Sequence, residues 1–181
     1  MPPADLLALA RTAATNHSLD APLVCAVIEQ ESAWDPHAIR YEPAFRTRYV
    51  APLGLPLTEE VARSISWGLM QVMGQVAREH GFGGKFLSAL CDPATGLDIG
   101  CAVLNAKFAA AQVEGQGFSP AMNDRCQPAS SLPQAVAQVG GPERQEPIHL
   151  IARALQLWNG GANPDYAAQV LARLPHYRHT A

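Results

Sequence analysis

A chain of 181 residues, 48% of them hydrophobic, carries enough apolar side chain for one domain with a true core, which excludes global disorder. A formal charge of −3 offers no basic balance for nucleic acid, and no apolar run is long enough to insert across a bilayer. The four cysteines, Cys25, Cys91, Cys101 and Cys126, follow no zinc-binding spacing, and no histidine accompanies a Cys or Ser nucleophile, so neither a metal nor an organic cofactor is expected.

The first expected element is a short amphipathic helix in MPPADLLALARTAATNH. Asp5 and Arg11 interrupt its apolar residues and no basic segment precedes them, so it does not read as a secretory signal. A second helix carries Leu23, Val24, Val27 and Ile28 at helical spacing, with Asp20 as N-cap and Pro22 in the first turn. Asp35-Pro36 is expected to stop it. Pro43, Pro52, Gly54 and Pro56 break up residues 41–66, an apparent insertion, until Thr58-Glu59-Glu60 opens a helix with acids at the positive end of its dipole.

Gly68-Leu69-Met70-Gln71 reads as a turn that opens a helix over residues 69–80, ending at Gly81. A Gly-rich turn and a short helix follow. Asp92 caps a long helix with Leu97, Cys101, Leu104 and Phe108 on one face. Residues 113–147 are rich in Gly, Pro, Ser and Gln, and predict a long loop or mobile segment. Helix resumes over 148–158, and Asn163-Pro164-Asp165 caps a last helix expected to end before Pro175. No strand periodicity is evident, so the expected fold class is all-α.

The chemistry centres on Glu31, in VIEQES at residues 27–32. It lies one turn from Val27, beside an apolar stripe. A carboxyl on an apolar wall loses hydration, its charged form becomes costly, and its pKa rises. Such a group stays protonated near neutral pH, as a general acid for a glycosidic oxygen must.

Four segments in order resemble the catalytic domain of lytic transglycosylases, lysozyme-like enzymes of glycoside hydrolase family 23 that cleave bacterial peptidoglycan. They are Glu31-Ser32, Gly68-Leu69-Met70-Gln71, Asp92-Pro93 with Ile99-Gly100, and Trp158-Asn159-Gly160-Gly161. The resemblance covers most of residues 23–112 and 148–174, and Arg40-Tyr41-Glu42-Pro43 resembles the insertion of some phage-type members. It implies a single lysozyme-like helical domain over residues 1–181. It implies cleavage of the β-1,4 bond between N-acetylmuramic acid and N-acetylglucosamine, with Glu31 protonating the leaving oxygen and then deprotonating the C6 hydroxyl that closes a 1,6-anhydro ring.

The expected substrate-binding residues are Ser32, Glu42, Gly68, Leu69, Met70, Gln71, Trp158 and Asn159. Ser32 would bond the carboxyl or the sugar. Gly68 permits close approach, and Gln71 offers an amide to an N-acetyl group or a hydroxyl. Glu42, in Arg40-Tyr41-Glu42-Pro43, pairs with an arginine or shapes the cleft; with Asp35, Glu29 and Asp98 it is also a candidate second acid. Arg40, Arg46 and Arg48 read as a solvated basic cluster.

The family more often places Tyr before the Asn. An indole has a donor of different reach and no acceptor, so a direct Trp158–Glu31 hydrogen bond is not expected; the ring stacks on a sugar or joins the core. Tyr166 and Tyr177 are weaker cleft candidates. The partner expected is the peptidoglycan glycan strand, met by a monomer released at phage lysis or carried in a virion. A hydrolysing goose-type muramidase and an inactive glycan-binding virion protein are the alternatives.

Overall fold

A computed structural model describes residues 2–115 and 147–178. Helix α1 (Ala4–Asn16) buries Leu6, Ala10, Ala13 and Ala14, one face at helical spacing, against helix α2 (Ala21–Ser32). In α2 the six residues Leu23 to Ile28 are all buried, so this helix is covered on every side and forms the centre of the core. Each large apolar side chain removed from water here contributes about 1.5–3 kcal/mol. Asp20 occupies the N-cap position of α2, but its side chain makes no capping hydrogen bond there.

The expected stop at Asp35-Pro36 is corrected: α2 ends at Ser32, because Ala33 (φ +51°) and Trp34 (φ +70°) turn the chain left-handed. Two non-glycine residues in that region cost about 1–2 kcal/mol each. Buried Trp34 offsets this by packing in the core and donating its indole N–H to the Tyr177 hydroxyl at 2.9 Å. The reversal follows Glu31 directly and leads the chain into the sheet.

That sheet is the second departure. Strands β1 (Ile39–Tyr41), β2 (Ile65–Trp67) and β3 (Val72–Met73) pair antiparallel in the order β1-β2-β3. Ile39 faces Trp67, and Ser66 faces Met73. Strands this short show no alternation to read. Between β1 and β2 run α3 (Pro43–Phe45), a π turn and a 3-10 turn through Leu53, and helix α4 (Leu57–Arg63), with Glu59 and Glu60 in its first turn as expected.

The helix expected over 69–80 is cut short. Residues 68–71 form the β2–β3 turn, with positive φ at Gly68 (+66°) and Gln71 (+47°), and helix α5 spans only Gly74–Glu79. A 3-10 turn (Leu87–Cys91) leads to the long helix α6 (Pro93–Gly115). Asp92 caps it, accepting the Thr95 N–H at 2.9 Å and hydroxyl at 2.8 Å. The helix runs through 113–115, which the sequence assigns to the loop; residues 116–146 of that expected loop, with Cys126, lie outside the described residues.

Helix α7 (Ile148–Trp158) packs on α6, and helix α8 (Tyr166–Arg178) packs on α2. Helix α8 passes through Pro175 instead of stopping before it. A proline in the last turn loses one backbone hydrogen bond. Leu174 and Tyr177, both buried, hold the turn in place. The all-α, lysozyme-like expectation stands, with a small sheet added.

Candidate active site

Glu31 sits in the last turn of α2, just past the buried run, with its carboxyl part-buried. Oxygen Oε1 accepts two hydrogen bonds: from the Trp158 indole N–H at 2.8 Å and from the Tyr166 hydroxyl at 2.6 Å. The bond to Trp158, not expected from the sequence, is thus present. Trp158 is the last residue of α7, and its indole crosses to the end of α2.

Tyr166 is the first residue of α8. The turn between the two donors is built by left-handed Gly160 (φ +64°) and Gly161 (φ +75°), and is closed by the Asn159 amide donating to the Asn163 carbonyl at 3.2 Å. Asn159 therefore shapes the turn that sets the spacing of Trp158 and Tyr166.

Burial pushes the Glu31 carboxyl above its ordinary pKa; the donors Tyr166 and Trp158, and then the positive charge of Arg40, pull it part of the way back. Burial, followed by the adjacent Glu31 charge, also pushes the Tyr166 hydroxyl up, so it remains a neutral donor.

The β2–β3 turn is joined to the end of α2 next to Glu31. Ser32 does not bond Glu31; its hydroxyl donates to the Leu69 carbonyl at 2.8 Å, tying the end of α2 to the turn. Gln71 spends its amide nitrogen on the carbonyls of Ala38 and Gly68, both at 2.9 Å. The expected donor role toward a sugar is taken up inside the wall, leaving Gln71 only an acceptor to offer.

Leu69 and Met70 correct another expectation. Each is 1% exposed, so their side chains belong to the core and only their backbone is left to face a substrate. Gly100, on α6, makes room for Met70: a Cβ there would meet the Met70 sulfur at 2.4 Å. The Ile99-Gly100 signal is thus a packing requirement.

The other candidate acids are already engaged. Glu42 pairs with Arg40 at 2.5 Å. Asp98 pairs with His17 at 2.7 Å. Asp35 accepts the His37 N–H at 2.8 Å. Glu29 accepts the Tyr177 hydroxyl at 2.6 Å, with Arg173 3.9 Å away. Glu42→Gln should therefore leave activity within about tenfold of wild type, since a partly exposed ion pair is worth about 1 kcal/mol or less. Initial rates of muropeptide release check this; a loss as deep as that of a Glu31 variant would make Glu42 a second catalytic acid.

Tyr166 gave only a weak sequence signal: an aromatic just after an Asn-Pro-Asp cap. Tyr177 and Glu29 were each candidates alone, but their joining through Trp34 into one hydrogen-bonded chain gave no signal, since the members lie far apart in sequence. A cavity of about 940 Å³ lined by Leu19, Phe108, Ile151 and Tyr177 contains neither Glu31 nor any of the expected substrate-binding residues; of the weaker cleft candidates it takes in Tyr177. Chemistry, rather than the size of a hollow, singles out Glu31.

The family model of the Transglycosylase SLT domain matches residues 8–137. The chain belongs to that family. Neither a curated protein nor a solved structure matches the chain. Membership implies lytic transglycosylase activity on peptidoglycan. The matched span contains Glu31 and the β2–β3 turn, but ends before α7 and α8, which supply both donors to the Glu31 carboxyl.

Proposed function

We propose that this transglycosylase SLT domain cleaves the β-1,4 bond from N-acetylmuramic acid to N-acetylglucosamine and forms a 1,6-anhydro end, with Glu31 as its one catalytic carboxyl. The observation that carries this is the Glu31 carboxyl itself: part-buried, raised in pKa, and the only one of the five candidate acids that accepts from two neutral side-chain donors. A protonated Glu31 gives its proton to the C4 oxygen of N-acetylglucosamine as the C1–O bond breaks, and that oxygen keeps the bonding electrons. The C6 hydroxyl oxygen then closes on C1, and its proton passes to the Glu31 carboxylate. No water enters, and the acid is regenerated.

A two-carboxylate hydrolase needs a second free acid across the bond. The engagement of Glu42, Asp35, Glu29 and Asp98 supports the single-carboxyl route. Mass spectrometry of digested peptidoglycan tests it. Anhydro products, one water lighter per cut than hydrolysis products, are expected. Reducing, water-bearing ends would make the chain a hydrolysing muramidase, and intact sacculi after prolonged incubation would make it a glycan-binding protein.

The raised pKa also sets a pH dependence. The first step needs the protonated acid, so activity should persist above the ordinary range of a glutamate and fall as pH rises through the pKa of Glu31. A rate–pH profile that is already lost at the ordinary carboxylate pKa would contradict this.

A further inference from the structure

We propose that Glu31 carries its working proton on Oε2 alone, because Trp158 and Tyr166 both donate to Oε1 and keep that oxygen as the acceptor. This rests on the acid–base role given to Glu31 above. An sp² oxygen accepts two hydrogen bonds, and Oε1 already receives two donors, at 2.8 and 2.6 Å. A proton placed there would have to displace one donor. Among the described residues nothing donates to Oε2.

The two donors are not alike, and the difference matters. An indole N–H is donor only, so Trp158 can never turn round to accept a proton from Oε1. A phenol can donate or accept. With the tyrosine that the resemblance places before Asn159, the neighbouring group would be a hydroxyl able to rotate, and either carboxyl oxygen could hold the proton. Tryptophan removes that freedom.

Both proton transfers then pass through one oxygen. Oε2–H protonates the leaving C4 oxygen, and the resulting carboxylate spreads its charge onto Oε1, where the two donors receive it. Oε2 then takes the C6 hydroxyl proton, returning Glu31 to its starting form. Trp158 and Tyr166 act here as positioning residues: they touch the acid and set which of its oxygens reacts.

The experiment is infrared difference spectroscopy of the protonated Glu31 carbonyl, assigned by subtraction of Glu31→Gln, combined with rate–pH profiles on purified peptidoglycan. The carbonyl stretch falls when its oxygen accepts hydrogen bonds. Trp158→Phe and Tyr166→Phe, each of which keeps an aromatic ring, should move the band to higher wavenumber, and the double variant should move it further. Trp158→Tyr, which restores a donor but one able to rotate, should bring it only part of the way back.

In the same variants the alkaline limb of kcat should shift to higher pH, since a carboxylate that loses a donor holds its proton more tightly, while KM changes little. A merely structural role would lower the folded fraction without moving the limb or the band. If Trp158→Phe does not fold, Tyr166→Phe, which deletes a single oxygen, decides the matter alone. A carbonyl band unmoved in the folded variants overturns the proposal. A band that moves in a protein that cleaves no glycan supports the placement of the proton and instead removes the catalytic reading of Glu31.

Discussion

Glu31→Gln should fold, bind glycan and lose cleavage. The amide is nearly the same size, and its carbonyl oxygen can still accept the Trp158 and Tyr166 donors that the carboxyl accepts at 2.8 and 2.6 Å. It can neither give a proton nor take one at working pH. General acid–base assistance is worth about 10²–10⁴-fold, and here one group serves both steps, so the loss should lie at or beyond the upper end. Muropeptide release by the purified variant is the measurement; retained cleavage would sink the assignment.

The same substitution should alter stability in a defined direction. The folded protein raises the pKa of Glu31, so it holds that proton more tightly than the unfolded chain does. The carboxyl's contribution is fully present below its unfolded pKa and is lost as pH rises through the folded one. Glutamine stays neutral throughout. Glu31→Gln should therefore melt higher than wild type at neutral pH, with the gain vanishing in acid. An equal gain at every pH would mean that ionisation of Glu31 is not its source.

Gly68→Ala should be the most damaging single methyl added to the wall. At φ +66° any L side chain is strained, at about 1–2 kcal/mol. A Cβ would also lie 2.4 Å from the Leu90 carbonyl oxygen, a backbone atom with no rotamer to yield. Together these should cost about 3–4 kcal/mol, a large share of a typical domain's stability. Gly54→Ala is the control: φ is +63°, but nothing lies within 4 Å of the added atom. A urea midpoint shift much larger for Gly68→Ala than for Gly54→Ala is expected. Equal shifts would show that the contact with Leu90 relaxes freely and that the backbone angle alone requires glycine.

Much of the core was legible because helical spacing is a local signal. The apolar run of α2, the Asp92 cap of α6 and the end of α7 at Trp158 can all be read within a few residues. What was misjudged followed from forces beyond that window. The stop of α2 at Ser32 depends on Trp34 being buried and bonded to Tyr177 from the far end of the chain. Gly68–Gln71 became a strand turn because residues 39–41 lie alongside 65–67. Leu69 and Met70, plausible sugar contacts by position, turned inward because Gly100 leaves a space for Met70.

The sequence by itself singled out the proposed acid: Glu31 at the edge of an apolar helix, followed in order by the remaining family segments. A carboxyl's place relative to an apolar stripe depends on residues one turn away, and one turn is within reach of pattern. Only the tertiary structure decided how that acid is held. Trp158 and Tyr166 stand 127 and 135 residues from Glu31, and their meeting on a single oxygen depends on how α7 and α8 pack against the rest of the fold. A hydrogen bond is specified to a few tenths of an ångström and a few tens of degrees, whereas spacing along a chain specifies only which face a side chain shares with its neighbours.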